Sequence, residues 1–325
     1  MRAVVVDPDR AALELSELAD PEPAPHEVLI RVRAAGLNRA DLLARAGSYP
    51  TGASGAATEP VVAGLELAGE IAALGSDVSG LELGARVMAI GRGYAELACV
   101  DHRLLLPVPP PLSWAEAGAM PIALLTAHDG LATNGRLAVG ETVLIQAVTS
   151  GVGTMALAVA AQLGATRILG TSRSSSKLAR LGPPLVGVDL ATDDLLEVVA
   201  QHTDSAGVDV VLDNVGASAL AQNVAAAAIR GRIVQVGRLG GGTAELDLEE
   251  LARKRLTLVG VTFRTRSSGE RADVVRRCLA DLGDALAAGE LRPRVDTSFQ
   301  LDEAEHAQEA LARNEHVGKL VLMLD

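Results

Sequence analysis

Residues 142–156 read TVLIQAVTSGVGTMA, and this stretch decides the fold. Thr142–Gln146 has the short apolar pattern of a buried strand, and residues 152–163 have the length and pattern of a helix. Between them lies a match to the fingerprint G-x-G-x-x-G/A. Its first glycine, Gly151, allows a tight turn, and its second, Gly153, lets the backbone approach a pyrophosphate. Because the N–H groups at the helix start attract phosphate, the stretch predicts dinucleotide binding, with a merely tight turn as the alternative.

Strand and helix patterns alternate around this motif. Strands are predicted at 142–146, 167–171, 186–189, 208–213, 232–236 and 256–263, and helices at 152–163, 175–181, 193–202 and 217–229. Such alternation predicts a parallel sheet covered by helices on both faces, which is the α/β architecture of a doubly wound Rossmann domain. We expect this cofactor domain to span residues 122–262.

The first 121 residues are predicted to be mainly β. Strand patterns occur at 27–34, 65–73 and 85–90, and helices are expected from Ser113 to Ala119 and from Pro121 to about Thr133. A helix at 271–288 and a strand at 319–324 follow the cofactor domain. We expect residues 1–121 and 263–325 to form one β-rich domain.

The end of the second predicted strand indicates which dinucleotide is bound. Enzymes that use NAD place Asp or Glu there, about 20 residues after the fingerprint, to bind the ribose 2′-hydroxyl. This chain has Thr171, Ser172 and Arg173, followed by three serines and Lys177. Hydroxyl groups and cations suit a 2′-phosphate. Thr171, Ser172, Arg173 and Lys177 therefore predict NADPH as the cofactor. A solvated helix start capped by serines is the alternative.

Composition excludes several classes of function. The net charge of −12 argues against nucleic acid as a partner, since binding phosphates requires clustered Lys and Arg. Two cysteines cannot form a disulfide framework or a four-thiolate zinc site. The N-terminal residues lack the apolar region of a signal peptide, and glycines interrupt the apolar stretch 142–172. We expect a soluble, cytoplasmic protein without a membrane segment.

Several motifs resemble those of one family along nearly the whole chain. They are AGLNRADL at 35–42, AGSYP at 46–50, GLELAG at 64–69, LTA at 125–127, SGVG at 150–153, VLDNVG at 211–216 and GK at 318–319. The chain resembles the zinc-independent quinone oxidoreductases, the zeta-crystallin-like group of the medium-chain dehydrogenase/reductase superfamily. The resemblance implies a GroES-like catalytic domain joined to a Rossmann domain.

The resemblance also implies that no metal is bound. Zinc-dependent relatives have a cysteine ligand at the position of Asn38 and a histidine at the position of Leu65. Their four-cysteine zinc lobe is replaced here by Gly91-Arg-Gly-Tyr94. Zinc requires three or four nitrogen, sulfur or carboxylate ligands, which these positions do not supply. Glu66 matches a carboxylate of those relatives, and we expect it to be a structural ion-pair partner.

Functional positions carry over from the family residue by residue. Asn38 and Tyr49 match residues that line the cleft beside the nicotinamide. Asn38 is expected to hydrogen-bond the cofactor ribose or the acceptor carbonyl, and Tyr49 to donate a hydrogen bond or a proton, although water could replace it. The other cofactor positions implied are Thr126, Ser150, Gly151, Val152, Gly153, Asn214, Gly237, Arg238, Leu239, Thr262, Phe263 and Lys319.

Without a metal, the feasible chemistry is hydride transfer to an activated acceptor. The leading prediction is an NADPH:quinone oxidoreductase that acts on a small molecule. The alternatives are an enoyl or enone reductase, for example in natural-product tailoring, and a non-catalytic NADPH-binding protein. The predicted apolar strand 256–263 lies at a sheet edge, and family members dimerise through it, so we expect a homodimer.

Overall fold

The computed structural model describes residues 1–7, 12–47 and 61–324. The chain divides into two compact units. The first consists of Met1–Ile122 together with Phe263–Asp325, and the second of Ala123–Thr262. Among the described residues, no helix is both long enough and apolar enough to cross a membrane.

The secondary structure is mixed throughout. The strands are β1 (Arg2–Asp7), β2 (Ala12–Glu17), β3 (Glu27–Gly36), β4 (Val61–Val62), β5 (Glu66–Leu74), β6 (Arg86–Ile90), β7 (Leu97–Asp101), β8 (Leu106–Pro107), β9 (Thr142–Ile145), β10 (Arg167–Ser172), β11 (Leu185–Asp189), β12 (Val208–Asp213), β13 (Ala227–Gln235), β14 (Thr257–Gly260), β15 (Val295–Gln300) and β16 (Lys319–Met323). The α-helices are α1 (Arg39–Arg45), α2 (Trp114–Ala119), α3 (Pro121–His128), α4 (Gly151–Gln162), α5 (Ser175–Leu178), α6 (Leu195–His202), α7 (Ala217–Ala226), α8 (Leu248–Lys254), α9 (Ser268–Ala287) and α10 (Ala304–Arg313). Short 3-10 turns occupy His102–Leu104 and Leu301–Glu303, and a π-helical segment covers Asp129–Asn134.

The second unit is built on a six-stranded sheet in the order β11-β10-β9-β12-β13-β14. Every pairing in this sheet is parallel. Numbered within the unit, the order is 3-2-1-4-5-6, which is that of dinucleotide-binding domains. The predicted doubly wound Rossmann sheet is therefore confirmed. Its core consists of apolar side chains from the central strands, including Leu144, Leu169 and Val211.

Two elements of this unit were predicted wrongly. The strand expected over 256–263 covers only Thr257–Gly260, because the chain passes into the other unit directly after Thr262. The helix expected to reach Ile229 ends at Ala226, since the next residues join the sheet as β13. Helix α8, which the sequence reasoning missed, begins after Asp247, whose carboxylate accepts the N–H of Glu250.

The first unit contains a three-stranded sheet, β2-β1-β4, and a seven-stranded sheet. In the larger sheet β3 is the central strand, paired antiparallel with β5, β7 and β16. Alternate residues of β3, such as Ile30 and Val32, are buried in a core shared with Leu67, Leu322 and Tyr94. This unit is β-rich, as the sequence predicts, and the candidate site lies at the carboxyl end of β3.

Candidate active site

Three polar residues meet at one end of the larger sheet because of its antiparallel register. Strand β3 ends at Gly36, while its neighbours β5 and β16 begin at Glu66 and Lys319. Since antiparallel neighbours run in opposite directions, the end of β3 lies beside the starts of both other strands. Asn38, two residues after β3, joins Glu66 and Lys319 there.

Lys319 is the centre of this group. Its ammonium donates hydrogen bonds to Oε1 of Glu66 at 2.6 Å, to Oδ1 of Asn38 at 2.7 Å and to the carbonyl oxygen of Leu37 at 2.6 Å. The side chain is only 4% exposed, and that of Glu66 is fully buried. An ammonium has three N–H donors, and all three are used here within the protein. The expected structural ion pair of Glu66 is thus present, whereas Lys319 as a cofactor contact stays a prediction.

Glu66 is held on both of its oxygens. Oε1 accepts from Lys319 and from Nδ2 of Asn38, the latter at 2.9 Å, and Oε2 accepts the backbone N–H of Ile122 at 2.7 Å. Gly36 makes this approach possible, because a Cβ there would overlap Oε1 of Glu66. A buried carboxylate is tolerated when it is paired and fully hydrogen-bonded, and Glu66 meets both conditions.

A second buried carboxyl, Asp41, lies behind Asn38. Its Oδ2 accepts the backbone N–H of Asn38 at 2.7 Å and the hydroxyl of Tyr94 at 3.2 Å. Oδ1 is buried without a hydrogen-bond partner. Burial raises the pKa of Asp41 to about 7, against the opposing hydrogen bond from Asn38 and the charge of Lys319. Burial, followed by the charge of Asp41, also raises the pKa of Tyr94 well above its ordinary value.

Sequence reasoning missed Asp41 and Tyr94 as parts of the site. Asp41 enters the sequence analysis only as part of the motif at 35–42, and Tyr94 only as the end of the segment that replaces the zinc lobe. The available indication was that Asp41 follows Asn38 by three residues at a helix start, where a carboxylate commonly binds a backbone N–H. The contact with Tyr94, 53 positions away, depends on the tertiary fold.

The residues at this sheet end do not fit a zinc ion. Asn38 offers an amide and Leu65 an alkyl side chain where a thiolate and an imidazole would be required. The Glu66 carboxylate is already neutralised by an ammonium at 2.6 Å, which would repel a dication. Over the described ranges, no group of three or more His, Cys, Asp or Glu side chains could hold a metal ion.

The phosphate turn of the second unit has the geometry that its glycines predict. Ser150 caps α4, and its hydroxyl accepts the N–H of Gly153 at 3.1 Å. A Cβ on Gly153 would overlap the carbonyl oxygen of Ala147, so only glycine fits there. The N–H groups of Gly151 and Val152 have no intrahelical acceptor at this helix start. The turn follows β9, where the sheet order reverses, and therefore fits the pyrophosphate of a dinucleotide.

A buried network fixes the turn from beneath. Thr171 donates to Oε1 of Gln146 at 2.6 Å and accepts the N–H of Ala147 at 3.1 Å. Nε2 of Gln146 donates to Asn223 at 2.7 Å. Thr171 is 1% exposed, and its hydroxyl is used in this network. Asn214 joins it by donating to the carbonyl oxygen of Gln146 at 3.0 Å.

The segment after β10 is polar and carries no carboxylate. Ser172 is buried, and its hydroxyl accepts the N–H of Ser174 at 3.3 Å. Ser174 in turn caps α5 by accepting the N–H of Lys177. Arg173 is exposed, whereas Lys177 is half-buried. The serine caps of the alternative interpretation are thus present, and both cations remain close in sequence to the strand end.

The other predicted cofactor positions are spread over both units. Thr126 is buried in α3. Gly237 follows β13, and the exposed residues Arg238 and Leu239 come next. Thr262 and Phe263 flank the unit boundary. Tyr49, predicted as catalytic, lies outside the described residues.

Two family models match the chain. An alcohol dehydrogenase GroES-like domain matches residues 24–110, and a zinc-binding dehydrogenase family matches residues 186–322. The first match lies within the first unit, and the second covers most of the Rossmann sheet and continues to β16.

Among known proteins, the chain is 35% identical over 320 residues to a phenolphthiocerol/phthiocerol polyketide synthase component of Mycobacterium tuberculosis. That match covers 96% of the chain and 14% of the synthase component, so the chain spans about one seventh of that relative's length. The chain is also 29% identical to quinone oxidoreductase-like protein 2 of Bos taurus, over 99% of the chain and 92% of the relative.

Solved structures match over the whole chain. An alcohol dehydrogenase superfamily protein from Novosphingobium aromaticivorans has a TM-score of 0.85 at 31% identity, covering 100% of both chains. A quinone oxidoreductase from Pseudomonas syringae pv. tomato DC3000 has a TM-score of 0.84 at 27% identity, covering 99% of both. The CurK enoyl reductase has a TM-score of 0.84 at 26% identity, covering 100% of this chain and 99% of that one.

Proposed function

The chain belongs to the alcohol dehydrogenase, or medium-chain dehydrogenase/reductase, superfamily, in its quinone oxidoreductase-like group, and we propose that it is a metal-independent NADPH:quinone oxidoreductase. The bound nicotinamide supplies a hydride, and the acceptor is a quinone or a similarly activated carbonyl compound. Membership of this superfamily makes the protein an oxidoreductase; the cofactor, the acceptor and the metal independence are parts of the proposal.

The observation that carries the proposal is the ion pair of Glu66 and Lys319 beside Asn38. Oxidation of an unactivated alcohol in this superfamily uses a metal ion as a Lewis acid. Here Glu66, which matches a carboxylate of the zinc-dependent relatives, is neutralised by the ammonium of Lys319. Acceptors that are already electrophilic, such as quinones and enones, need no such activation.

Preference for NADPH is supported by the segment after β10. An acidic residue at this strand end would repel a 2′-phosphate, and the chain has Ser172 and Arg173 there. Lys177 adds a second cation one turn later. The phosphate turn from Ser150 to Gly153 would hold the pyrophosphate through backbone N–H groups.

Protonation of the reduced acceptor is the second task of the site. We assign it by proposal to Tyr49, whose phenol would donate a proton to an enolate-like oxygen. Water serves equally well for a hydroquinone anion. Replacing Tyr49 with Phe should therefore lower turnover with an enone about 10-fold or more and leave quinone turnover within about 3-fold. Turnover that falls by the same factor with both acceptors, or does not fall with either, would remove Tyr49 from this role.

A second candidate function is reduction of an enoyl thioester. It is favoured by the full-length match to the CurK enoyl reductase and by the match to part of a polyketide synthase. Both functions use the same hydride transfer, so the acceptor alone distinguishes them. With this function the chain would act on the conjugated double bond of an acyl group.

The test is NADPH consumption by the purified chain with three acceptors. The proposal predicts turnover with 1,4-benzoquinone and 9,10-phenanthrenequinone and slow or no turnover with a 2-enoyl thioester. Preferential turnover of the thioester would establish the second candidate instead. Tight NADPH binding without turnover of any acceptor would favour a non-catalytic binding protein.

Assembly and compartment complete the proposal. Strand β14 forms an edge of the Rossmann sheet, and its Leu258 is 41% exposed, so we expect two copies to pair there as a homodimer. A monomer mass at micromolar concentration in light scattering would exclude this.

Cys99 and Cys278 are both free thiols, which suits a reducing compartment such as the cytoplasm.

A further inference from the structure

Ala147 has a backbone conformation that few residues with a side chain adopt. It is the second residue after β9, where the phosphate turn begins, and its φ is +52°. The left-handed region costs a residue other than glycine about 1–2 kcal/mol, so an alanine stays there only when its surroundings hold it. The carbonyl oxygen of Ala147 accepts the N–H of Ser150 at 3.0 Å, and a Cβ on Gly153 would overlap the same oxygen. The conformation of Ala147 therefore sets the position of the turn.

Thr171 holds Ala147 through two successive N–H groups. Its hydroxyl accepts the N–H of Ala147 at 3.1 Å, and its carbonyl oxygen accepts the N–H of Val148 at 2.9 Å. These two N–H groups flank the α-carbon of Ala147. Because both are bonded to one residue of the neighbouring strand β10, they restrain both backbone dihedral angles of Ala147 together.

Gln146 determines where the hydroxyl of Thr171 points. A hydroxyl has one proton and rotates to suit its partners. Here the proton points at Oε1 of Gln146, at 2.6 Å, which leaves a lone pair for the N–H of Ala147. The amide nitrogen of Gln146 is held in turn by Oδ1 of Asn223, at 2.7 Å. Gln146 is 1% exposed and Asn223 is fully buried, so water does not compete for these hydrogen bonds.

We propose that Gln146 is a positioning residue of the phosphate turn. Its buried amide orients the hydroxyl of Thr171, which holds Ala147 in the left-handed conformation and so aligns the N–H groups offered to the pyrophosphate. This inference rests on the proposed NADPH-dependent function and deepens it. Affinity for the cofactor then depends on a side chain buried beneath the turn, because a turn that is ordered before the ligand arrives loses less conformational entropy on binding.

The test compares Gln146→Met with a matched control on the same strand. Methionine has a similar length and volume but makes neither hydrogen bond of the amide. The dissociation constant for NADPH, measured by fluorescence titration, should rise about 5- to 10-fold, as for loss of one hydrogen bond. The control is Thr142→Val at the other end of β9, where the hydroxyl of Thr142 accepts the N–H of Asp209 at 3.1 Å. The control loses a comparable hydrogen bond and should leave the dissociation constant within about 2-fold.

A thermodynamic cycle with Ala147→Gly separates positioning from general damage. Glycine adopts a positive φ without strain, so the turn depends less on the restraint from Thr171. In the Ala147→Gly background, adding Gln146→Met should therefore weaken NADPH binding by less than about 2-fold. Damage unrelated to Ala147 would weaken binding equally in both backgrounds. If Gln146→Met does not fold, Thr171→Val removes the same restraint and goes through the same cycle.

Unchanged NADPH binding by Gln146→Met, an equal loss in both backgrounds, or an equal loss in the Thr142→Val control would overturn the inference. Wild-type protein that binds NADPH but reduces no acceptor would refute the proposed activity alone, because the cycle is measured on binding. Wild-type protein that binds NADH in place of NADPH would refute the proposed cofactor, and the same cycle with NADH would still decide the role of Gln146. Wild-type protein that binds neither would refute both.

Discussion

Replacing Asp41 with asparagine should make the first unit more stable at neutral and alkaline pH and weaken the pH dependence of its unfolding. The carboxyl is 3% exposed, and Oδ1 has no hydrogen-bond partner. An asparagine keeps an oxygen to accept the N–H of Asn38 and the hydroxyl of Tyr94. It removes the ability to become charged in a buried site, and the amide N–H groups that it adds are the same at every pH and so do not alter the pH dependence.

The magnitude follows from the pKa of Asp41, which burial raises from 3.8 to about 7. A carboxyl with a higher pKa in the folded state holds its proton more tightly when folded. Its stabilising contribution is therefore complete below about pH 4 and is lost as the pH rises through about 7. Over the whole range the loss is about 4 kcal/mol, of which about 2–3 kcal/mol falls between about pH 5 and pH 8.

The assay is urea unfolding followed by tryptophan fluorescence at several pH values. Trp114 is the single tryptophan of the chain and belongs to the same unit as Asp41, so the signal reports on that unit. The advantage of Asp41→Asn over wild type should grow by about 2–3 kcal/mol from about pH 5 to pH 8. The control Asp77→Asn alters an exposed carboxylate and should show a constant difference. An advantage for Asp41→Asn that is the same at both pH values would refute the reasoning.

Two further predictions concern the other parts of the site. Gly36→Ala should lower the free energy of unfolding by about 1–3 kcal/mol in the same fluorescence assay, because the new Cβ would overlap Glu66. The control is Gly269→Ala, where a Cβ meets open space. An unaffected Gly36→Ala protein would mean that the packing at Glu66 is looser than described. Arg173→Asp combined with Lys177→Glu should raise the KM for NADPH at least about 10-fold and change that for NADH less than about 3-fold, since only the 2′-phosphate is repelled. Steady-state kinetics with both cofactors measure this, and equal effects would speak against the phosphate assignment.

The cofactor unit was predictable from sequence because its determinants are local. The fingerprint at 151–156, the strand before it and the helix after it are contiguous, and the strand Val208–Asp213 was predicted to the residue. The Ser113 cap was also predicted, and its hydroxyl accepts the N–H of Glu116 at 3.3 Å. Boundaries were less accurate where tertiary pairing overrides local preference, as at β13.

The role of Thr171 shows where local reasoning stops. Its hydroxyl at a strand end suits a phosphate, and the sequence therefore predicted a cofactor contact. In the fold the same hydroxyl donates to Gln146 beneath the phosphate turn, and the cofactor contact of Thr171 stays a prediction. Strand alternation decides which face a side chain takes, and a single residue's chemistry does not.

By itself, the sequence determined the Rossmann turn, the absence of an acidic residue after its second strand and the replacement of metal ligands at Asn38 and Leu65. These are properties of residue type and short spacing. Only the tertiary structure decided how Asn38 is held, because Glu66 and Lys319 lie 28 and 281 positions from it and meet it through the antiparallel register of three strands. Because this end of the sheet is buried from water, the polar groups of Glu66, Lys319 and Asn38 must satisfy one another, and the observed arrangement does so.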